Sequence, residues 1–212
     1  MQESNRSRHA GARAMLAVLS LASLLGAVVV ASAGAQQGGE PMSQDAMNMM
    51  MALATPGEHH KKLDRWVGDW DATIKMWTGP GKPTVSKGTV HYEWILGGRY
   101  VLGRWTGEVG GMPFQGMEID GYDNAKGQYV STWLDNMSTW PMTLTGRLLP
   151  DGSGMTYVGS SYDPMQKKDV GVREEIRWPD DRHYTFEMFM TGTTPDGKPT
   201  EMKSMEIVGE KK

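Results

Sequence analysis

Residues that favour turns interrupt the chain about every ten positions after Gly68, and this spacing limits the folds open to it. Between the interruptions, apolar and polar side chains alternate with the period of a β-strand. The interruptions are Gly79-Pro80-Gly81, Gly97-Gly98, Gly110-Gly111-Met112-Pro113, Asp123 to Gly127, Pro150-Asp151-Gly152, Asp163-Pro164, Pro179-Asp180-Asp181 and Pro195-Asp196-Gly197. No room remains for the crossover helices that parallel strands require, so we expect an antiparallel meander of about nine or ten strands. Closing that sheet into a barrel removes its exposed edges, and a two-sheet sandwich is the alternative.

One hairpin can be placed in register from the sequence. Leu96-Gly97-Gly98-Arg99 suits a two-residue turn that needs positive φ at both central residues. Its apolar face is predicted to point inward, with Trp94 opposite Val101, Tyr92 opposite Gly103, and Val90 opposite Trp105. His91, Glu93 and Arg104 alternate with these residues and are predicted to face solvent.

A single short helix is predicted before the first strand, from about Pro56 to Val67. Thr55-Pro56-Gly57-Glu58 has the pattern of a capping box with proline at the first helical position, and Gly68 is a natural stop. Trp66 recurs at helical spacing with other apolar residues. We expect this helix to close one end of the barrel, with Trp70 packed beneath it beside Trp66.

The first 35 residues have the composition of a secretory signal peptide. Three arginines precede an apolar run from Met15 to Val30, and small-residue cleavage sites follow at Ala33 and Ala35. The alternative is an uncleaved membrane anchor. We therefore divide the chain into a signal peptide (1–35), a Met-rich linker (36–55) and a lipocalin-like β-barrel domain (56–212), and expect a periplasmic or secreted protein.

Charge and cysteine content exclude several classes of function. Without residues 1–35, which hold Arg6, Arg8, Arg13 and Glu3, the 22 basic residues become 19 and the 25 acidic residues become 24, a net charge of −5. A nucleic acid or anionic membrane partner would call for a basic face, so we expect neither after signal cleavage. The absence of cysteine excludes disulfides, thiolate catalysis and thiolate metal sites.

Several stretches resemble a bacterial family known only as domain of unknown function 1579. They are His60-Lys61-Lys62-Leu63-Asp64, Val67-Gly68-Asp69-Trp70, Ile95-Leu96-Gly97-Gly98-Arg99-Tyr100, Met112-Pro113-Phe114-Gln115-Gly116, Gly121-Tyr122-Asp123-Asn124-Ala125-Lys126, Tyr129-Val130-Ser131-Thr132-Trp133 and Asp135. Gly68-Asp69-Trp70 is also similar to the Gly-x-Trp element that opens lipocalin-like (calycin) barrels. The resemblance implies such a barrel in an exported protein, and it implies no activity or family catalytic residues.

Aromatic residues supply the candidate site. The chain holds 8 tryptophans, most of them in or beside predicted strands. They suit either a packed aromatic core or the wall of a cavity that holds an apolar ligand. The candidate cavity-lining residues are Tyr92, Trp94, Trp105 and Trp133.

We expect a non-catalytic protein that binds a small apolar or amphiphilic ligand, with a solid-core interaction or structural module as the alternative. The oligomeric state is not indicated.

Candidates for catalysis and for metal or cofactor binding are weaker. Glu118 and Asp120 share one face of a strand, but they alternate with apolar Met117 and Ile119 and so are expected on the solvent side. A buried carboxylate pair inside a cavity would instead favour an enzyme, the third hypothesis. His183 is the best lone candidate for a haem ligand. The remaining alternatives are a Cu(I) site in the Met-rich linker and chelation by His60 with Asp64, for which a solvated helix face is the simpler interpretation. We expect no catalytic residues, metal or cofactor.

Overall fold

A computed structural model of the chain describes residues 42–193 and 196–212. Two short helices, α1 (Gln44–Ala54) and α2 (Glu58–Lys61), and a 3₁₀ helix (Lys62–Arg65) precede the strands. The ten strands are β1 (Gly68–Met76), β2 (Thr84–Ile95), β3 (Tyr100–Val109), β4 (Met112–Asp123), β5 (Gln128–Asp135), β6 (Met142–Leu148), β7 (Gly154–Asp163), β8 (Lys168–Asp180), β9 (His183–Thr193) and β10 (Pro199–Lys211).

The strands form one closed antiparallel barrel. Each strand pairs with its neighbours in sequence, and β1 pairs with β10 to complete the ring, so that Trp70 lies opposite Lys211. The expected meander and its closure into a barrel are confirmed. With the ring closed, no described strand is left with an exposed edge.

The register predicted for the β2–β3 hairpin is also confirmed. Tyr92 pairs with Gly103, and both Gly97 and Gly98 have positive φ in the turn. Arg104 points outward, where its guanidinium lies 3.5 Å from the Glu93 carboxylate. Leu96 also has a positive φ of 49°, so the turn is more strained than a simple two-residue loop.

The helical segment before β1 closes one end of the barrel, as expected, although it is broken into α2 and the 3₁₀ helix and ends at Arg65. Leu63 and Trp66 are buried, and the Trp66 ring stacks on Tyr92 at a centroid distance of 5.1 Å. Trp70 is fully buried next to them, and its indole N–H donates a 2.6 Å hydrogen bond to the Trp66 carbonyl. Trp66, Trp70 and Tyr92 form an aromatic group that fills the end of the barrel next to the helices.

His60 does not lie on a solvated helix face, which corrects the simpler of the two interpretations above. It is buried, and its Nδ1 accepts a 3.0 Å hydrogen bond from the Gly57 amide. This hydrogen bond fixes the start of α2. The Asp64 carboxylate instead accepts a 2.8 Å hydrogen bond from the Trp94 indole, so His60 and Asp64 are engaged separately.

Part of the segment predicted as a linker is helical. Ser43 caps α1 by accepting a hydrogen bond from the Ala46 amide, and no residue of α1 is buried. Asn124 donates to the carbonyls of Leu53 and Thr55 and so ties the end of α1 to the β4–β5 turn. The predicted signal peptide and its cleavage sites lie outside the described residues. In the described part of the chain, no helix has the length and apolar character that a membrane crossing needs.

The turn between β5 and β6 was not among the predicted interruptions. The Asp135 carboxylate accepts hydrogen bonds from the amides of Met137 and Ser138 and thereby forms the turn. Asn136 bonds back to Pro113 and Gln115 on β4. With this additional turn the barrel has ten strands, in agreement with the predicted nine or ten.

Candidate functional site

An open cavity of about 300 Å³ occupies the barrel interior. At the ends of the strands farthest from the helices it is bounded by residues such as Met76, Val109 and Met142. It extends inward as far as Trp66 and Tyr184, which belong to the aromatic group under the helices. The barrel is therefore filled at the end next to the helices and hollow towards the opposite end.

Three aromatic rings form one wall of this cavity. The Trp133 ring stacks on Phe114 at 6.1 Å and meets Trp105 edge-on at 6.1 Å. A Cβ atom at Gly116 would lie 2.6 Å from the Trp133 ring, so this position on β4 has to be glycine for the ring to lie flat against the wall. These contacts hold the aromatic wall in place without a ligand.

The inner end of the cavity carries carboxyl groups, which corrects our expectation that Glu118 and Asp120 face solvent. Glu118 and Glu174 line the cavity, and Asp120 is 1% exposed. The cause is the β3–β4 register: Glu118 pairs with Gly103, which faces inward beneath Tyr92. The apolar side chain of Met117 is the one that points outward.

Hydrogen bonds to Glu118 come from the barrel interior. The Tyr92 hydroxyl donates to Oε2 of Glu118 at 2.8 Å, and the Trp105 indole N–H donates to the same atom at 3.4 Å. Among the residues that the structure describes, no lysine, arginine or histidine forms a salt bridge with Glu118, Asp120 or Glu174. The three acidic groups therefore share an interior that contains hydrogen-bond donors and lacks a compensating cation.

Burial raises the pKa of all three carboxyls. For Glu118 the effect of burial is opposed by the hydrogen bonds from Tyr92 and Trp105, which lower the pKa. Burial and then the negative charge of Glu118 raise the pKa of Asp120 well above its ordinary range. The same two causes, in the same order, raise the pKa of Glu174 to about 8. Glu174 is thus held protonated near neutral pH, and the hydrogen bonds from Tyr92 and Trp105 favour the ionised form of Glu118.

Two buried polar atoms of residues that line the cavity have no hydrogen-bond partner in the described part of the chain. The Tyr184 hydroxyl is buried, and so is the Trp66 indole N–H, and both residues line the cavity. Buried polar groups are nearly always paired, so each exception calls for an explanation. A polar atom of a bound molecule is one such explanation.

The candidate residues named from sequence divide into two groups. Tyr92, Trp105 and Trp133 line the cavity. Trp94 lies away from it, which corrects its expected place in the lining, because the hydrogen bond to Asp64 turns its ring towards the helices. The carboxyls Glu118, Asp120 and Glu174 were missed as site residues, and the β3–β4 turn at Gly110-Gly111 is the signal that could have located the first two.

The alternative cofactor and metal sites are not supported by geometry. His183 lies on the outer side of β9, where its Nδ1 is 2.8 Å from the Asp180 carboxylate. The methionines of α1 are exposed. Within the described ranges, no group of three or more histidine, aspartate or glutamate side chains is arranged to hold a metal ion.

One comparison with a solved structure supports the fold. The crystal structure of Rv2717c from M. tuberculosis superposes with a TM-score of 0.55 at 11% sequence identity, covering 74% of this chain and 99% of that one. A redesigned β-barrel gives a TM-score of 0.35 at 12% identity, covering 71% of this chain and 95% of that one. No curated protein matches the sequence. A family model matches residues 55–210, and the chain therefore belongs to the family described as "protein of unknown function (DUF1579)".

Proposed function

We propose that this barrel binds a small, largely apolar or amphiphilic molecule in its interior and does so without chemical conversion. The observation that carries the proposal is the open cavity of about 300 Å³ walled by Trp105, Trp133 and Phe114. Pockets for small ligands are typically concave and mostly apolar, with a few polar groups, and start at roughly 300 Å³. The alternative of a solid-core interaction module would need a filled interior, and the cavity argues against it.

Binding is favoured over a defect of packing because the cavity wall is preorganised. The stacked rings are held by contacts with one another and with strand glycines, so an incoming apolar molecule would not have to displace them. Burying its apolar surface would contribute about 25 cal/mol per Å². The polar groups at the inner end would orient the ligand.

The test is titration with diphenylhexatriene, a neutral apolar fluorophore that emits strongly when removed from water. Met142 lines the cavity, so Met142→Trp should occupy ligand space and weaken probe binding about tenfold or more. The control is Val158→Trp, which adds the same side chain at an exposed position of β7. Binding to the wild type and to Val158→Trp, with loss in Met142→Trp, supports the proposal. Equal binding to all three proteins would place the probe outside the barrel and overturn it.

Catalysis is the second candidate, and the buried carboxyls favour it. Burial raises the pKa of both Glu118 and Asp120, and enzymes that use paired carboxyl groups for acid–base catalysis place them in such environments. Native mass spectrometry of the protein purified from its own host would identify a molecule that accompanies it. If that molecule changes mass on incubation with the wild type and not with Glu118→Gln, the protein is an enzyme. If it is released unchanged, binding is the function.

Export to the periplasm or beyond the cell is also part of the proposal, supported by the basic, apolar and small-residue pattern of residues 1–35. The intact mass of protein recovered outside the cytoplasm should correspond to cleavage after Ala33 or Ala35. A recovered species that retains Arg13 would contradict it.

A further inference from the structure

The inner end of the cavity has a chemistry different from its walls. Glu118 on β4 and Glu174 on β8 enter it from separate strands, and Asp120 lies buried beside Glu118. The charges of Glu118 and Glu174 are close enough to influence one another. Without a cation, at most a fraction of this group can ionise, because like charges in a buried site repel.

A second observation, independent of the acidic cluster, indicates a missing hydrogen-bond partner. Tyr184 on β9 lines the cavity and is 1% exposed, and its buried hydroxyl has no partner among the described residues. Asp120 Oδ2 is likewise buried and unpaired. The Tyr184 hydroxyl can accept a hydrogen bond, and the cavity that Tyr184 lines leaves room for a donor.

Building on the proposed function, we propose that the ligand is an amphiphilic amine whose protonated amino group binds at Glu118, Glu174 and the Tyr184 hydroxyl. An ammonium group carries three donors and one positive charge, which suits two carboxylates and a phenol oxygen. The rings of Trp66 and Tyr92, which stack on each other, also line this end. The apolar body of the ligand lies along Trp105, Trp133 and Phe114.

Other head groups fit this site less well. A carboxylate would bring a further acid to a group of acids, and an alcohol would leave their charge uncompensated. A metal ion would need a closer arrangement of ligands than the described residues provide. The unpaired Trp66 indole N–H would suit an acceptor, and comparison with an acid and an alcohol tests that alternative directly.

The groups that face the head-group position are the three carboxyls, Tyr92 on β2, Tyr157 on β7 and Tyr184, with no basic side chain among the described residues. Affinity for an amine should therefore rise with pH as Glu174 and its neighbours lose protons, around pH 8 for Glu174. It should fall again once the amine itself deprotonates, at a pH of about 10. An alcohol should show no such rise.

The experiment is isothermal titration calorimetry with decylamine, decanol and decanoate, which share one chain length and differ in head group. At about pH 8 we expect decylamine to bind at least about tenfold more tightly than the other two. Glu118→Gln and Glu174→Gln should each weaken decylamine binding by about tenfold to a hundredfold and leave decanol binding within about twofold. The control is Glu175→Gln, since Glu175 points outward on β8 and pairs with Arg173 and Arg177.

The outcomes separate the two proposals. Decanol or decanoate binding as tightly as decylamine, or decylamine binding that is unchanged in both glutamine variants, overturns the amine inference and leaves the cavity-binding function standing. Failure of all three compounds and of diphenylhexatriene to bind overturns both. Decylamine preference that rises with pH and is lost only in the two interior variants supports the inference.

Discussion

The hydroxyl of Tyr92 on β2 donates a 2.8 Å hydrogen bond to the carboxylate of Glu118 on β4, across the strand that separates them. The intervening residue on β3 is Gly103, which pairs with Tyr92 on one side and with Glu118 on the other. Because Gly103 has no side chain, the phenol ring can lie over it and reach the carboxylate. Tyr92 and Glu118 thereby lie side by side in the lining of the cavity.

Tyr92→Phe should destabilise the protein, and more so at high pH than at low pH. The variant removes a donor from Glu118, and a hydrogen bond to a charged group is worth about 1.5–3 kcal/mol. The loss should be near the upper figure where Glu118 is ionised and smaller where it is protonated. Urea denaturation at about pH 5 and pH 9 measures the difference. The control is Tyr100→Phe at a partly exposed ring, and an equal effect of Tyr92→Phe at both pH values would contradict the prediction.

Gly103→Ala should also destabilise the barrel. A Cβ atom there would lie 2.4 Å from Cε1 of Tyr92, so the ring must move away from Glu118. Overpacking of this kind costs about 1–3 kcal/mol. The matched control is Gly79→Ala, where an added Cβ meets nothing within 4 Å, and its effect should stay within about 0.5 kcal/mol. Equal unfolding midpoints for the two variants would show that the ring is free to shift.

Much of the fold follows from local signals in the sequence. The contact between Tyr92 and Gly103 was predictable because Gly97-Gly98 fixes the turn, and in a hairpin the turn determines every pair beyond it. The short helical segment and the buried position of Trp70 follow from the apolar spacing and the glycine stop. The predicted capping box is wrong, because Gly57 is the N-cap of α2 and Thr55 is the C-cap of α1. Closure of the barrel followed from the number of strands, because an open sheet of that size has costly edges.

The carboxyl cluster was missed because the alternation of side chains was interpreted on one strand alone. Met117 and Ile119 look like an inward face, yet Met117 is 41% exposed. Gly110 and Gly111 both have positive φ, and counting outward from them as a two-residue turn pairs Gly103 with Glu118. Since the β2–β3 register already turns Gly103 inward, that pairing requires Glu118 to face inward too. The inward position of Glu174 follows from the alternation on β8, where Val172, Glu174 and Ile176 share the buried face. The cavity itself depends on packing across the whole ring, which no local pattern records.

Ionisation of Glu174 should make the stability of the protein depend on pH. Burial and the charge of Glu118 raise its pKa from 4.5 to about 8 in the folded state. The folded protein therefore holds this proton more tightly than the unfolded chain does. The contribution of Glu174 to stability is greatest below about pH 4.5 and is lost as the pH rises through about 8.

Glu174→Gln should remove that decline, because the amide does not ionise. A tenfold change in proton affinity is worth about 1.4 kcal/mol. We therefore expect the free energy of unfolding of the variant to exceed that of the wild type by roughly 2–4 kcal/mol at about pH 9 and to differ little from it at about pH 5. Urea denaturation across this range is the measurement. Glu175→Gln, on the outer side of β8, should keep the wild-type profile. Parallel profiles for the wild type and Glu174→Gln would mean that Glu174 does not ionise within the barrel.

Trp70→Ala should be among the most destabilising single changes in the barrel. The ring is fully buried between the helical plug and the strands, where it meets Tyr184 edge-on at 5.1 Å. Its removal leaves a void and deprives the Trp66 carbonyl of its 2.6 Å hydrogen bond. Truncation of a large buried aromatic residue costs on the order of 3–5 kcal/mol.

The matched control is Trp140→Ala, because Trp140 is 39% exposed in the β5–β6 turn. This variant should lose less than about 1 kcal/mol of unfolding free energy. Urea denaturation of both variants gives the comparison, and a loss below about 1 kcal/mol for Trp70→Ala would show that the helical segment closes the barrel without depending on this ring.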